Sequence, residues 1–209
     1  VVSGLHPTWS FEDYLGILQA LHDEFPKLYL KGFTGVEITH FAKISGLSIH
    51  EVLVKLKAAG LQAIAGGGAE ILSDRVRGEL CPKKATAAEW LDVARTAHLL
   101  GIKSNASMLY GHIETIEERV DHLLRLRTLQ DETHGFQTFI CFPFLPKNTE
   151  LEQEIEQTSL WDDLRTMAVS RLMLDNFINL KAYWVMLTLP VAQLALGFGA
   201  NDIDGTVHK

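Results

Sequence analysis

The stretch TAAEWLDVARTAHLLGIKSNASML, residues 86–109, decides the fold class. It begins with Thr86-x-x-Glu89, where a threonine oxygen and a glutamate carboxylate can satisfy the unpaired N–H groups of a first helical turn. Apolar residues recur at helical spacing as far as Gly101, a residue type that accepts the left-handed conformation at a helix end. The segment Lys103–Leu109, which follows this helix end, then predicts a strand. The stretch therefore predicts a helix followed directly by a strand.

The same order of elements recurs on both sides of this stretch. Motifs of the same kind at residues 48–51 and 115–118 predict two more capped helices, which we expect to end at Gly60 and Gly135. Ser10 and Ser159 are expected to cap two further helices. The predicted strands are Leu28–Phe33, Gln62–Ala65, Lys103–Leu109, Gln137–Phe142, Lys181–Leu187 and a short one near Leu196–Ala200, with Val1–Ser3 as the end of another.

Alternating strands and helices indicate a parallel sheet. Seven strands are predicted, whereas a complete TIM-type barrel needs eight strands and ~250 residues. The sequence therefore predicts an α/β fold in one domain over residues 1–209: a TIM-type (β/α) barrel of parallel strands that is incomplete, with its first βα unit missing. An open, doubly wound sheet is the alternative, but Gly66-Gly67-Gly68 lacks the third glycine of a dinucleotide-binding turn.

Charge and cysteine content narrow the classes of function. The net charge is −7 and no Lys/Arg-rich run occurs, which argues against a nucleic-acid partner. Cys81 and Cys141 form neither a CxxC pair nor a disulfide framework, as expected for a reducing, cytoplasmic setting. The uncharged run at residues 182–201 contains Pro190, and we interpret it as strand, turn and short helix, with no membrane span.

Candidate site residues follow the predicted strands, because barrels place their active sites at the carboxyl ends of the strands. The Gly66–Gly68 turn either binds an anion through its N–H groups or only lets the chain turn tightly. Glu70 either contacts a ligand or caps a helix. His112 and Glu114 either contact a ligand or face a helix dipole. A metal-dependent hydrolase remains an alternative, with the candidate ligands His6, His40, His112 and Asp202.

Three segments carry a family resemblance: KGFTGVEITHFAK (31–43), AGGGAEILSDRVRGELCPKK (65–84) and KSNASMLYGHIETIEERVDHLLRLRTLQDETHGFQTFICFPFLPKNTEL (103–151). With them, the whole chain resembles the radical S-adenosylmethionine enzymes of the futalosine pathway to menaquinone. That family includes dehypoxanthine futalosine cyclase and FO synthase, and its aminofutalosine synthase branch is the most similar.

The resemblance implies two cofactors, S-adenosylmethionine and a [4Fe-4S] cluster held by a CxxxCxxC loop, with flavodoxin or ferredoxin as reductant. It implies transfer of a 5′-deoxyadenosyl group to the small-molecule substrate 3-[(1-carboxyvinyl)oxy]benzoate, which gives aminofutalosine. The cyclase and the FO synthase subunit are alternatives that differ in the acceptor. A ligand-binding remnant without catalysis is a further alternative.

The resemblance also assigns candidate residues. Those expected to bind S-adenosylmethionine are Ser3, Gly4, Glu70, Met108, Gly111, His112 and Glu114. Those expected around the acceptor or the adenosine are Glu37, His40, Gly67, Gly68, Tyr110, Asn176 and Asn201. No catalytic acid or base is assigned, since radical addition needs little proton transfer. We expect one pocket to be lined jointly by Ser3, Gly4, Glu70, His112 and Glu114.

The chain departs from the family at the cluster loop. Neither Cys81 nor Cys141 belongs to a CxxxCxxC motif, and both match positions outside that loop. The missing first unit of the barrel is the unit that would carry the motif. We therefore expect a fragment that binds no metal or cluster and is inactive alone.

Overall fold

The computed structural model describes residues 2–205. Their sheet contains five parallel strands in the order β1 to β5. An isolated parallel bridge from Lys31 to Ala63 extends the sheet beyond β1. Within the described residues β1 and β5 do not pair, so the sheet is open, and the predicted parallel α/β architecture is confirmed. The strands are β1 (Ala63–Ile64), β2 (Lys103–Tyr110), β3 (Phe136–Pro143), β4 (Asn179–Ala182) and β5 (Asp202–Ile203).

Helices precede and connect the strands. They are α1 (Phe11–Glu24), α2 (Gly35–Ser45), α3 (Ile49–Ala58), α4 (Asp74–Leu80), α5 (Ala87–Leu99), α6 (Ile116–Thr133), α7 (Leu160–Met173), α8 (Trp184–Leu187) and α9 (Leu189–Ala195). All five predicted N-caps are confirmed, because each side chain accepts a hydrogen bond from the backbone N–H three residues further on. No helix among residues 2–205 combines the length and the apolar character that a membrane crossing requires.

Two helices were not predicted. Helix α2 begins with a full capping box between Thr34 and Glu37, and α4 begins after Ser73, whose side chain accepts from the N–H of Val76. The end of α6 also differs from prediction. His134, with φ 49°, takes the left-handed position, while Gly135 leaves room for the ring of His98.

Several predicted strands are wrong in extent. The segment 28–33 contributes only the bridge at Lys31. Residues 184–187 form α8 and not the end of β4, since a short apolar run does not distinguish helix from strand. Residues 196–198 form a 3-10 helix, and the last strand is β5. Residues 2–3 are not in a strand, and Val1 lies outside the described residues.

The sheet has two unlike faces. Ala106, Met108 and Tyr110 of β2 are fully buried in the hydrophobic core that the helices cover. Because side chains alternate along a strand, Ser107 and Leu109 point to the opposite side, here called the interior face. The strand register places Ile140 of β3 and Lys181 of β4 on the interior face as well.

Candidate functional site

A cavity of about 430 Å³ lies on the interior face, at the carboxyl ends of the strands. Its walls are mostly apolar, and Phe142 and Tyr183 meet edge to face with ring centroids 5.2 Å apart. Parallel α/β barrels bind their ligands at this end of the sheet. The lining residues are Leu109, Ile140, Phe142, Tyr183, Met186 and Asp204.

An ion cluster forms the polar side of this cavity. Lys181 Nζ lies 2.7 Å from Asp204 Oδ1 and 3.4 Å from Asp202 Oδ2. Burial lowers the pKa of Lys181, but the two carboxylates outweigh it and the pKa is raised overall. Oδ2 of Asp204 is buried and has no hydrogen-bond partner within the part of the chain that the structure describes. The cavity therefore offers a fixed positive charge and a carboxylate oxygen.

Lys31 lies at the other edge of the sheet, where it forms the bridge to Ala63. Its side chain is half-buried, and burial followed by the charge of Lys181 lowers the pKa of Lys31. The strand order separates Lys31 and Lys181 by β1, β2 and β3.

A second cleft, of about 390 Å³, opens beside the turn after β1. Glu70 lies on its wall and pairs with Lys84, with 2.7 Å between Oε1 and Nζ. Glu70 adopts φ 46°, a strained conformation for a residue other than glycine. Cys81 also lines this cleft, and burial raises the pKa of its thiol.

The glycine turn is shaped by close packing. A Cβ on Gly66 would lie 2.6 Å from the backbone of Asn105, and one on Gly68, at φ +81°, would lie 2.6 Å from Val36. The carbonyl of Gly67 accepts from Trp90 Nε1 at 3.4 Å. These contacts account for the turn without a ligand, so the tight-turn interpretation of Gly67 and Gly68 is the one with structural support.

His112 and Glu114 are occupied by their own loop, contrary to expectation. Both side chains are fully buried, and Glu114 accepts from the N–H groups of Gly111 at 2.6 Å and of His112 at 2.8 Å. Arg119 Nε donates to the same carboxylate at 2.7 Å. Burial alone would raise the pKa of Glu114, but the side chain of His112, with Nδ1 2.8 Å from Oε2, and the N–H groups of Gly111 and His112 outweigh it and lower the pKa to about 2. The carboxylate is saturated and fixes the loop.

The expected joint pocket is not formed. The N–H and Oγ of Ser3 both donate to Oε1 of Glu37 at 2.9 Å, and Gly4 is exposed. Oε2 of Glu37 also accepts a hydrogen bond from the N–H of Thr34 at 2.8 Å, as part of the capping box of α2. The cleft at Glu70 is lined by none of Ser3, Gly4, His112 or Glu114. His112 and Glu114 follow β2, whereas Ser3 and Gly4 follow no strand of the described residues, so separate local contacts engage the two groups.

Two further candidates point away from the interior face. Met108 and Tyr110 belong to the core beneath the helices, and the hydroxyl of Tyr110 donates to Asp163 Oδ1 at 2.8 Å. Gly111 has φ 85° and packs against Thr158, which leaves no room for a side chain. The positions of Met108 and Tyr110 follow from the two-residue alternation of side chains along β2, which directs both towards the helices.

Asn176 and Asn201 lie at the amino ends of the strands, opposite the cavity. Asn176 Nδ2 donates to Asp131 Oδ1 at 2.8 Å, and Asn201 Oδ1 accepts from the N–H of Leu180 at 2.8 Å. Asn201 was expected to follow the last strand but precedes β5. His40 lies within α2, and its buried Nε2 has no partner among residues 2–205.

Sequence reasoning missed Lys31, Lys181 and Leu109 as site residues. The candidate residues were those that follow the predicted strands, so residues within the strands were not considered. Applying the two-residue period to segment 103–109 would have placed Leu109 on the face opposite Met108. Lys181 carried a signal too, since a lysine inside a predicted buried strand calls for a partner.

The side chains that could bind a metal ion lie apart from one another in the part of the chain that the structure describes. In the described range no group of three or more His, Cys, Asp or Glu side chains could hold a metal ion, so His6, His40, His112 and Asp202 do not converge. Cys141 is buried in β3 and Cys81 lies at the cleft beside Glu70. Two separated thiols do not fit a cluster that needs three thiolates.

Comparison with solved structures defines the class of fold. The chain superposes on methylornithine synthase (PylB) with a TM-score of 0.64 and 18% identity, covering 95% of this chain and 55% of that one. It superposes on HydG, a maturase of the [FeFe]-hydrogenase, with a TM-score of 0.69 and 16% identity, covering 97% and 44%. At such identities the likeness concerns the fold alone, which is that of an incomplete parallel α/β barrel.

Sequence comparison then gives the family. Residues 133–208 match the family described as the CofH/MqnC C-terminal region. The chain is 50% identical to aminodeoxyfutalosine synthase of Thermus thermophilus over 99% of this chain and 56% of the relative. It is 42% identical to the 5-amino-6-(D-ribitylamino)uracil–L-tyrosine 4-hydroxyphenyl transferase of Archaeoglobus fulgidus over 100% and 61%. The resemblance to the radical S-adenosylmethionine family is thereby confirmed, and the chain spans about 56% of the length of the first of these curated relatives.

Proposed function

We propose that this chain is the acceptor-binding part of a radical S-adenosylmethionine transferase that makes aminofutalosine from 3-[(1-carboxyvinyl)oxy]benzoate. The observation that carries the proposal is the 50% identity to aminodeoxyfutalosine synthase across 99% of the chain. A cytoplasmic setting and a flavodoxin-like or ferredoxin-like reductant belong to the same proposal.

The interior cavity supports an aromatic acceptor. Phe142 and Tyr183 offer ring faces and edges, and Leu109 and Met186 complete an apolar wall. Such a wall excludes water, which protects a reactive intermediate from side reactions. The acceptor of the proposed reaction is a single aromatic ring with two short acidic groups, a size that a cavity of about 430 Å³ accommodates.

S-adenosylmethionine supplies the adenosyl radical when it is bound in enzymes of this family. Of the residues expected to hold it, Glu70 has a partly exposed carboxylate that pairs with Lys84, and Ser3 is an exposed residue whose hydroxyl donates to Glu37. The residues of this chain do not fit the [4Fe-4S] cluster, because Cys81 and Cys141 are separate thiols. In the proposal, cysteines outside this chain hold the cluster, and the chain contributes acceptor binding and part of the S-adenosylmethionine contact.

The archaeal relative suggests a second candidate function. The name of this relative describes the transfer of a 4-hydroxyphenyl group from L-tyrosine to 5-amino-6-(D-ribitylamino)uracil, and the 42% identity covers the whole of this chain. That acceptor is also a single ring with polar substituents. The two functions differ in the acceptor, so a direct test supplies both.

The test uses a fusion. The part of the Thermus thermophilus relative that precedes the match is joined to residues 1–209 and reconstituted anaerobically with iron and sulfide. We expect aminofutalosine from S-adenosylmethionine and 3-[(1-carboxyvinyl)oxy]benzoate, detected by mass spectrometry. The Thermus segment alone is the control. A product from tyrosine and the uracil, with none from the benzoate, would replace the proposed function by the second one.

A further inference from the structure

Lys181 is a charged residue of the interior face, and its ammonium group pairs with Asp204, which lines the interior cavity. It pairs in register with Ile140 of β3 and with Asp202 of β5, so it stands on the same face as the apolar wall. Its side chain is 19% exposed, which is low for a lysine. Lysine at such a position needs a reason, because burying an ammonium group is costly.

We infer that Lys181 binds a carboxylate of an aromatic acid whose ring lies in the interior cavity. The identity of that acid, the benzoate acceptor, rests on the proposed function. The position of the ammonium group beside an apolar, aromatic wall does not depend on the proposed function. Lysine recognises a carboxylate as a compact point charge, and its ammonium group carries three donors.

The two aspartates orient Lys181 without using all of its donors. Asp204 Oδ1 at 2.7 Å and Asp202 Oδ2 at 3.4 Å account for two directions around Nζ. The carboxylates also raise the pKa of Lys181, so the group stays positively charged at neutral pH. A third donor of the ammonium group is left for an incoming carboxylate, which competes with Asp202, the more distant of the two aspartates.

The wall of the cavity selects the rest of the ligand. Ile140 and Leu109 form an aliphatic floor, and the Phe142–Tyr183 pair leaves ring edges and faces exposed to it. Aromatic groups pack well on such surfaces. Oδ2 of Asp204 accepts no hydrogen bond within residues 2–205, so a ligand with an added donor, such as the ammonium group of tyrosine, is the competing occupant.

The experiment measures binding and needs no turnover. Residues 1–209 are titrated by calorimetry with 3-[(1-carboxyvinyl)oxy]benzoate, 3-hydroxybenzoate, the neutral 3-hydroxybenzamide and L-tyrosine. We expect Lys181→Met to weaken both benzoates about tenfold or more and to leave the amide nearly unchanged, since only the acids lose a charged contact. Lys181→Arg should restore most of the affinity. Lys103→Met, at the opposite end of β2, is the matched control and should bind like the parent chain.

Folding is controlled separately. Lys181→Met leaves two carboxylates without their cation, so Lys181→Met/Asp204→Asn reduces that imbalance, and circular dichroism confirms the fold. The inference fails if acids and amide weaken equally, if none weakens, or if L-tyrosine binds more tightly than the benzoates through Lys181. Because no cluster is needed, Lys181-dependent benzoate binding would stand even if the fusion made no product. An active fusion whose acceptor affinity ignores Lys181 would overturn only this inference.

Discussion

Arg119 joins two parts of the fold through Glu114: its Nε donates to Glu114 Oε1 at 2.7 Å, while its Nη1 lies 3.1 Å from Asp162 Oδ2. Glu114 belongs to the loop after β2 and Asp162 to the first turn of α7. The same guanidinium lies over the ring of Tyr110, with its central carbon 5.1 Å from the ring centroid. One cation thus fixes the loop that ends β2 against the helix that follows β3.

Replacing Glu114 by glutamine should destabilise the fold strongly. The amide would turn one acceptor into a donor facing the N–H groups of Gly111 and His112, and would leave Arg119 partly uncompensated. Breaking a buried charge pair on one side costs about 3–5 kcal/mol. Urea denaturation at pH 7 measures the loss. Glu117→Gln, in the first turn of α6, is the control and should unfold at nearly the parent urea concentration.

The effect of Glu114 should depend on pH with a defined sign. Its pKa is lowered to about 2 in the folded chain from 4.5, so its contribution is complete above pH 4.5 and is lost as the pH falls towards 2. The difference in unfolding free energy between the parent and Glu114→Gln should therefore shrink below pH 4.5. A difference that stays constant from pH 7 to pH 3 would contradict the lowered pKa.

His98 should make stability rise with pH in a higher window. Burial, and then the charge of Lys103, lowers its pKa to about 4, and its ring nitrogens meet Thr133 and Ser104 at 2.7 Å. Between pH 4 and 6.5 the unfolded chain binds one proton more than the folded chain. The free energy of unfolding therefore falls by about 2–3 kcal/mol as the pH decreases across that range. His98→Gln should flatten the stability–pH curve there. A slope that His98→Gln leaves unchanged between pH 4 and 6.5 would contradict the lowered pKa of His98.

Gly111→Ala should destabilise the loop after β2 by about 1–3 kcal/mol. Its φ of 85° is unfavourable for alanine, and the new Cβ would collide with Thr158. Gly78→Ala is the matched control, because Gly78 is inside α4 with open space around it. That change should stabilise the chain by about 0.4–1 kcal/mol. Thermal unfolding of both variants measures the contrast, and equal melting temperatures would contradict the strain at Gly111.

Cys81 should be alkylated before Cys141. Burial raises the pKa of Cys141 to about 12, and the residue is only 1% exposed, so iodoacetamide should not alkylate it in the native chain. Cys81 is partly exposed at the cleft and should react slowly. Mass spectrometry should show one adduct in buffer and two in urea. Native alkylation of Cys141 would mean that β3 opens.

Local chemistry explains what the sequence predicts well. Ser48, Thr86 and Thr115 each act within three residues of themselves, so their caps need no knowledge of the rest of the chain. Segment 103–109 is predicted as a strand from its place after the helix end at Gly101, although four of its seven residues are polar. The parallel sheet then follows from the alternation of the two element types.

The candidate site was harder to predict, because several of its residues are placed by partners distant in sequence. Lys181 of β4 donates a hydrogen bond to Asp204, which follows β5. Ser3 donates to Glu37, the residue that caps α2. Glu114 follows a strand as a ligand residue would, yet Arg119 and Asp162 make it structural. A linear pattern shows that a carboxylate follows a strand but not which cation reaches it first.

The buried guanidinium of Arg77 has a consequence for motion. It donates to the carbonyls of Gly68, Ala69 and Ala85, which joins the glycine turn to the segment before α5. Neither end can open without releasing the other, so residues 66–85 should behave as one cooperative unit. Their protected amide hydrogens would then share one free energy of opening in hydrogen exchange, and the parts of the cleft at Glu70 that they form would open together.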